Sequence, residues 1–401
     1  MAIVSAPARV RPRTRLPFWA LYGSALTIVL LGAAELFQRA IEPTPTAYFL
    51  FPPNTERTIH IPQDVVSGVG PVGHFVVNQY GLRGRVPRAE PRRLMVMGGS
   101  TVESLVQDEP NTWSAQLDRL INGFAGDRST WVGNAGRAGI TSFENIIEMR
   151  HLSDMVPNVG TVVMLIGAND LAIGYTNANR TAPEIVPEDV RYQRTFFVIQ
   201  SLSEGFPYNL ALYRLYLSIK RSSMLSQRGY LQVLGSDAQF REWIVNWRTD
   251  RAKSKPYRDD IPDLSQYLTG YRRNLEQIVD LAQQRGVDLI LVTQPLMYRP
   301  DQSENEESIY HWFGRVDNHD EHHPAFYYSA GALFTMMGMY NHVTVEVCAE
   351  RHILCIDAAA RLKPNADNYF DGIHFTDAGN LAVAQIVFDG LKKAGKLPLA
   401  H

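Results

Sequence analysis

Apolar and polar positions along this chain follow two different periods in turn, and each change of period marks an element. Leu94-Met95-Val96-Met97 is a short unbroken apolar run ending in Gly98-Gly99, and a helix-compatible stretch through Trp113, Leu117 and Leu120 follows it. Trp131-Val132 leads into a glycine-rich turn, and Thr161-Val162-Val163-Met164-Leu165-Ile166 reads as another buried strand. Between Tyr267 and Arg285, Leu275, Ile278, Val279 and Ala282 fall at the i, i+3, i+4, i+7 spacing of one helix face, and the strand Val287 to Thr293 comes next. A helix through Tyr340 to Glu350, a strand Ile353 to Ile356 and a terminal helix from Thr376 to about Lys393 complete the alternation. Unbroken apolar strands are buried on both faces, so the pattern predicts an α/β fold, a three-layer α/β/α sandwich around a central parallel sheet.

The chain ahead of Arg92 and one segment inside the alternation obey other rules. Residues 1–16 hold Arg9, Arg11, Arg13 and Arg15 and no acid, and the run 17–37 carries no charge before Glu35. That length and that basic lead predict a single transmembrane signal-anchor with the remaining chain outside the cytoplasm; a cleaved signal, with Gly32-Ala33-Ala34 at the cut, is the alternative. Residues 38–91 read as a proline-rich linker and a small β-element closed by Gly81-Leu82-Arg83-Gly84. The formal GxGxxG at Gly68 to Gly73 opens no helix and has Pro71 where one should begin, so it is not a dinucleotide site. The segment 175–265 breaks the rhythm with Phe196, Phe197, Tyr208, Tyr213, Tyr216, Trp243 and Trp247; it is an insertion packing its own helices, or a cap over the active site.

Composition narrows the function classes. The 401 residues carry 39 Lys+Arg against 41 Asp+Glu, with 45% hydrophobic residues, which excludes a disordered chain and argues against a nucleic-acid partner. With two cysteines there is no disulfide framework, and Cys348 and Cys355 are expected as two buried thiols. His319-Asp320-Glu321-His322-His323 lacks the helical spacing of a zinc motif and is read as a solvated loop, so no metal and no cofactor are expected. Asn179-Arg180-Thr181 fits a glycosylation sequon, too short to weigh alone.

Four polar groups at turns then stand out, because open parallel sheets collect function beyond the carboxyl ends of their strands. Gly98-Gly99-Ser100-Thr101 puts a hydroxyl at the start of a helix, where backbone N–H groups can hold an oxyanion. The turn from Gly133 to Gly139 lets a backbone N–H approach a substrate closely. Gly167-Ala168-Asn169-Asp170 offers a side-chain amide as a second donor, with Asp170 in a structural role. Asp371-Gly372-Ile373-His374 spaces a carboxylate so that it can orient an imidazole facing a serine.

In this order the four groups resemble the blocks of the SGNH, or GDSL-like, hydrolase superfamily, from about Arg92 to the C-terminus. The runs Asn78 to Gly84, Met339-Tyr340-Asn341 and Ile356-Asp357 resemble those of its bacterial, often membrane-attached members. The resemblance implies a flavodoxin-like sheet, Ser100 as nucleophile, His374 as general base and Asp371 as its orienter. It also implies an oxyanion hole from the N–H groups of Ser100 and Gly139 and the amide of Asn169. One departure is Gly99, where the family usually has aspartate. Val102 breaks any GxSxG around Ser100, which disfavours the α/β-hydrolase scaffold. The function implied is an extracytoplasmic serine esterase or O-acyltransferase acting on acylated carbohydrate or cell-envelope material, alongside envelope polysaccharide machinery. The alternatives are a lipid esterase and a catalytically silent module that binds polysaccharide or an envelope partner.

Overall fold

The structure is a computed structural model describing residues 18–41, 48–88, 90–180, 186–196, 198–199, 206–207, 210–213, 215–216, 237–310, 312–317 and 325–397. The chain forms two compact units, one of residues 1–45 with 200–226, the other of residues 46–199 with 227–401.

Five strands build the central sheet of the larger unit: β1 (Arg92–Gly98), β2 (Thr130–Gly136), β3 (Thr161–Leu165), β4 (Asp288–Val292) and β5 (Leu354–Ile356). All pair in parallel, in the order β5-β4-β3-β1-β2, the flavodoxin-like arrangement. Helices flank the sheet in two groups. Trp113–Ala125 packs with Asp377–Lys393, while Ser265–Arg285 packs against both Ser142–Arg150 and Ala330–Arg351. Strand residues such as Met95, Val96, Met97, Val162 and Val163 are fully buried, as two covered faces require. The helix expected from Tyr340 begins ten positions earlier, at Ala330, where the Ser329 hydroxyl caps it by accepting from Ala332 N. Its small residues hide the start: Ala330, Gly331 and Ala332 give no hydrophobic period.

The β-element ahead of β1 belongs to this unit. Glu56–His60 and Val72–Val76 form an antiparallel pair, and Ile59, Phe75, Val77 and Leu82 join the common core. Gly68 to Gly73 lies at the turn of this pair, with Gly68 O accepting from Asp377 N. In the insertion, the helices Glu188–Thr195 and Asp237–Lys253 are described, whereas Phe197 and Tyr208 lie outside the described residues.

In the smaller unit, residues Phe18–Ile41 form one helix of 24 residues. Among the described residues, however, no helix is long and apolar enough to cross a membrane, so the span expected at 17–37 is not carried by the structure. The C-terminal end of this helix is polar. Glu35 and Arg39 form an ion pair there at 2.7 Å, and the Glu35 carboxylate accepts the backbone N–H groups of Ala211 and Leu212.

Cys348 and Cys355 are free thiols; Cys348 is buried as expected, but Cys355 is only half-buried, on the edge strand β5. The Asn179 amide donates to Tyr175 O and to the Tyr328 hydroxyl, which leaves the sequon asparagine turned inward. The His319 to His323 run lies outside the described residues, and among the described residues no His/Cys/Asp/Glu group is arranged to hold a metal ion.

Candidate active site

Register explains why the blocks meet. Gly98 at the end of β1 pairs on one side with Gly136 and on the other with Leu165, so the turns after β2 and β3 rise on either side of the turn after β1. Ser100 opens a four-residue helix, Ser100–Glu103, directly beyond Gly98-Gly99. A Cβ on Gly99 would lie 2.6 Å from the Asn169 side-chain nitrogen, so the glycine that departs from the family pattern leaves room for Asn169 beside the serine.

Ser100 Oγ lies 2.8 Å from His374 Nε2, and His374 Nδ1 lies 2.6 Å from Asp371 Oδ2. The remaining oxygen of Asp371 accepts the N–H groups of Ile373 and His374 at 2.7 and 2.6 Å. The loop holding them is closed by the Tyr369–Phe375 bridge and by Phe370 N donating to His374 O, and the Phe370 ring stacks on the imidazole. Burial disfavours the imidazolium, but the charge and hydrogen bond of Asp371, with a further contribution from Glu103, outweigh it. His374 is therefore raised above its ordinary value.

Asn169 donates through its side-chain nitrogen to Ile140 O at 2.7 Å, which fixes the direction of the amide. Gly139 sits in the left-handed region at φ 79°, with open space where a Cβ would be. The structure thus brings Ser100, Gly139, Asn169, Asp371 and His374 around one cavity. Asp170 stands apart from it and accepts from the N–H and hydroxyl of Ser142, tying the turn after β3 to the helix Ser142–Arg150. Burial raises its carboxyl to about 6.

Three features escaped the sequence reading. Glu103 is fully buried one turn after Ser100; one carboxyl oxygen accepts from Ala138 N, beside Gly139, and the other has no hydrogen-bond partner among the described residues. Burial pushes this carboxyl up to about 7 against the pull of the Ala138 N–H and of Arg137 and Arg83. Arg83, from the run Asn78 to Gly84, is buried and donates to the carbonyls of Glu103, Ser104 and Gln107 while pairing with Glu109. It therefore satisfies carbonyl groups at the end of the helix that Ser100 opens, which a helix this short leaves open. Finally, Phe240, Trp243 and Ile244 reach the cavity from the helix Asp237–Lys253, part of the insertion. Their i, i+3, i+4 spacing was visible in the sequence, but not what the face would meet.

No curated protein matches the chain in sequence. Among solved structures it is similar to the acetylxylan esterase Axe2 of Geobacillus stearothermophilus, at 13% identity and a TM-score of 0.39 over 75% of this chain and 94% of that one. It is similar to the lipase/acylhydrolase of Enterococcus faecalis, at 15% identity and a TM-score of 0.38 over 77% and 99%. A third is LAE5, an alpha/beta hydrolase enzyme from the metagenome of Lake Arreo, at 14% identity and a TM-score of 0.38 over 78% and 99%. Likenesses this distant carry no argument about substrate. Residues 96–382 match the GDSL-like Lipase/Acylhydrolase family as a whole, so the chain belongs to that family and is a hydrolase acting on ester bonds.

Proposed function

We propose that the protein is a serine esterase working through an acyl-enzyme, with Ser100 as nucleophile, His374 as general base and Asp371 as its orienter. The observation that carries this reading is the unbroken chain of hydrogen bonds from Ser100 Oγ through both imidazole nitrogens to Asp371. Ser100 adds to the ester carbonyl as His374 Nε2 takes its proton. The oxyanion forms against the N–H groups of Ser100 and Gly139 and the Asn169 amide. His374 returns the proton to the leaving alkoxide, and water, or an acceptor hydroxyl in a transfer reaction, then releases the acyl group from Ser100. Asp371 keeps its charge throughout and stabilises the imidazolium.

The ester is one of an acylated carbohydrate or another cell-envelope compound, reached outside the cytoplasm. Support for that placement is sequence alone: four arginines ahead of an apolar run that forms a helix. A periplasmic reporter fused after residue 45 tests it, since a silent reporter would remove the extracytoplasmic reading. For the chemistry, a fluorophosphonate should label the wild-type protein at Ser100 and leave Ser100→Ala unlabelled. An unreactive wild type would favour the silent binding module instead.

A further inference from the structure

The cavity over Ser100 has a volume of about 290 Å³ and a lining of two kinds. Beside the polar groups already described, Leu105, Val106, Phe240, Trp243, Ile244 and Trp312 supply an apolar wall. We propose that this wall binds the acyl chain of the ester, and that the acyl group is a chain of several methylenes rather than acetyl. The proposal rests on the serine-esterase reading above and adds to it the class of acyl group.

Volume gives the first argument. The cavity is roughly ten times the share of one molecule in liquid water, so an acetyl group would leave most of it to be filled. Water is a poor filler against such a wall, because it needs two to four polar partners. The second argument concerns hydrogen bonding. A saccharide in this space would bring hydroxyls that need donors and acceptors, and losing those bonds is costly. Yet the Ser104 hydroxyl is engaged with Asn380, and the Gln107 amide donates to Phe375 O at 2.6 Å. A hydrocarbon chain asks for none of these bonds and gains from leaving water.

Position supplies the third argument. Ile244 and Phe240 are nearly inaccessible, at 2% and 5% exposure, and are held on a helix that opens with its apolar residues at i, i+3 and i+4. The apolar wall shares its cavity with Ser100, Gly139 and Asn169, so a chain lying on it projects from the carbonyl carbon under attack. The alcohol side of the ester then points to the cavity mouth, where a sugar or lipid headgroup remains in solvent.

The test uses the full-length protein and p-nitrophenyl esters from acetate to dodecanoate. kcat/KM should climb about fourfold for each methylene added beyond acetate, the fold-change matching ~0.8 kcal/mol per buried methylene, until the wall is covered. Ile244→Phe should move the preferred chain to a shorter one, and Trp243→Ala to a longer one. Melting temperatures of both variants show that they fold, and a third variant, Val106→Phe, narrows the same wall from a different segment. Acetate hydrolysed as well as hexanoate would overturn the proposal while leaving the esterase standing, as would a chain-length profile unmoved by folded wall variants. Loss of both ester turnover and fluorophosphonate labelling in the wild type would overturn the esterase reading and this one together.

Discussion

The two kinds of lining of the cavity are built in different ways, and they tolerate change differently. The polar side comes from turns at strand ends and from the loop before the last helix, where directed hydrogen bonds hold each group at set distances. Ser100 meets His374 at 2.8 Å and His374 meets Asp371 at 2.6 Å, with Asp371 filled by two further N–H groups. The apolar side comes from a helix in the insertion, from Leu105 and Val106 and from Trp312, which offer surface rather than directed bonds. Hydrogen bonds depend steeply on geometry, while apolar contact scales with area. Substitutions on the first side should therefore abolish rate, and those on the second should alter which ester is preferred.

The most severe break is Ser100→Ala. Turnover of an activated ester should fall by at least about 10⁴-fold with the melting temperature held, because the remaining groups retain only the oxyanion and binding contributions. Asn169→Ala should cost about 10²- to 10³-fold in kcat, the loss measured when one oxyanion donor is removed. A smaller effect is expected one layer deeper. Glu103→Ala removes the acceptor for Ala138 N and loosens the Gly139 turn, lowering kcat about ten- to a hundredfold with little change in KM. Glu103→Gln, which keeps an acceptor oxygen, should recover most of it. Equal losses in both variants would show that the carboxyl acts in some other way.

pH sharpens the contrast further. His374 must be neutral to take the serine proton, and its value is raised, so kcat/KM should fall on the acid side through a midpoint above 6.5. A midpoint below that value would contradict the Asp371 contact. Stability follows the buried carboxyls. Glu103, Glu148 and Asp170 are raised to about 7, 8 and 6 by burial. Between the unfolded values, 4.5 for the glutamates and 3.8 for Asp170, and these folded values the native state holds more protons than the unfolded one, so stability falls as pH rises. The raised His374 works in the same direction, being most stabilising below its unfolded value. The melting temperature should thus drop by several degrees from pH 5.5 to pH 8.5, and Glu148→Gln should flatten the slope.

Much of this was legible from residue pattern. The strands of the sheet announce themselves as apolar runs; Ser100, Gly139 and Asn169 sit in turns after strands, and Asp371 and His374 in the turn before the last helix, where polar groups invite a reading of chemistry. What stayed hidden depends on contacts between distant segments. Glu103 looks like any helical glutamate, and only the fold reveals it sealed beneath Ala138. Phe240, Trp243 and Ile244 show a helix face without showing that its partner is the cavity. The start of the helix Ala330–Arg351 was missed because alanine and glycine carry no amphipathic signal. The apolar N-terminal run was legible as a helix, but not the contacts of Glu35 with Arg39 and with Ala211 N at its end.

The contact of Arg83 with the carbonyls of Glu103, Ser104 and Gln107 bears on where this enzyme begins as a heritable piece. The family segment starts at residue 96, yet the guanidinium that closes the helix Ser100–Glu103 is encoded upstream of it. A gene fusion or domain shuffle that respected the family boundary would carry Ser100 away from its own scaffold. A transferable unit built on this active site should therefore include the hairpin Glu56–Val76 and the turn to Arg83.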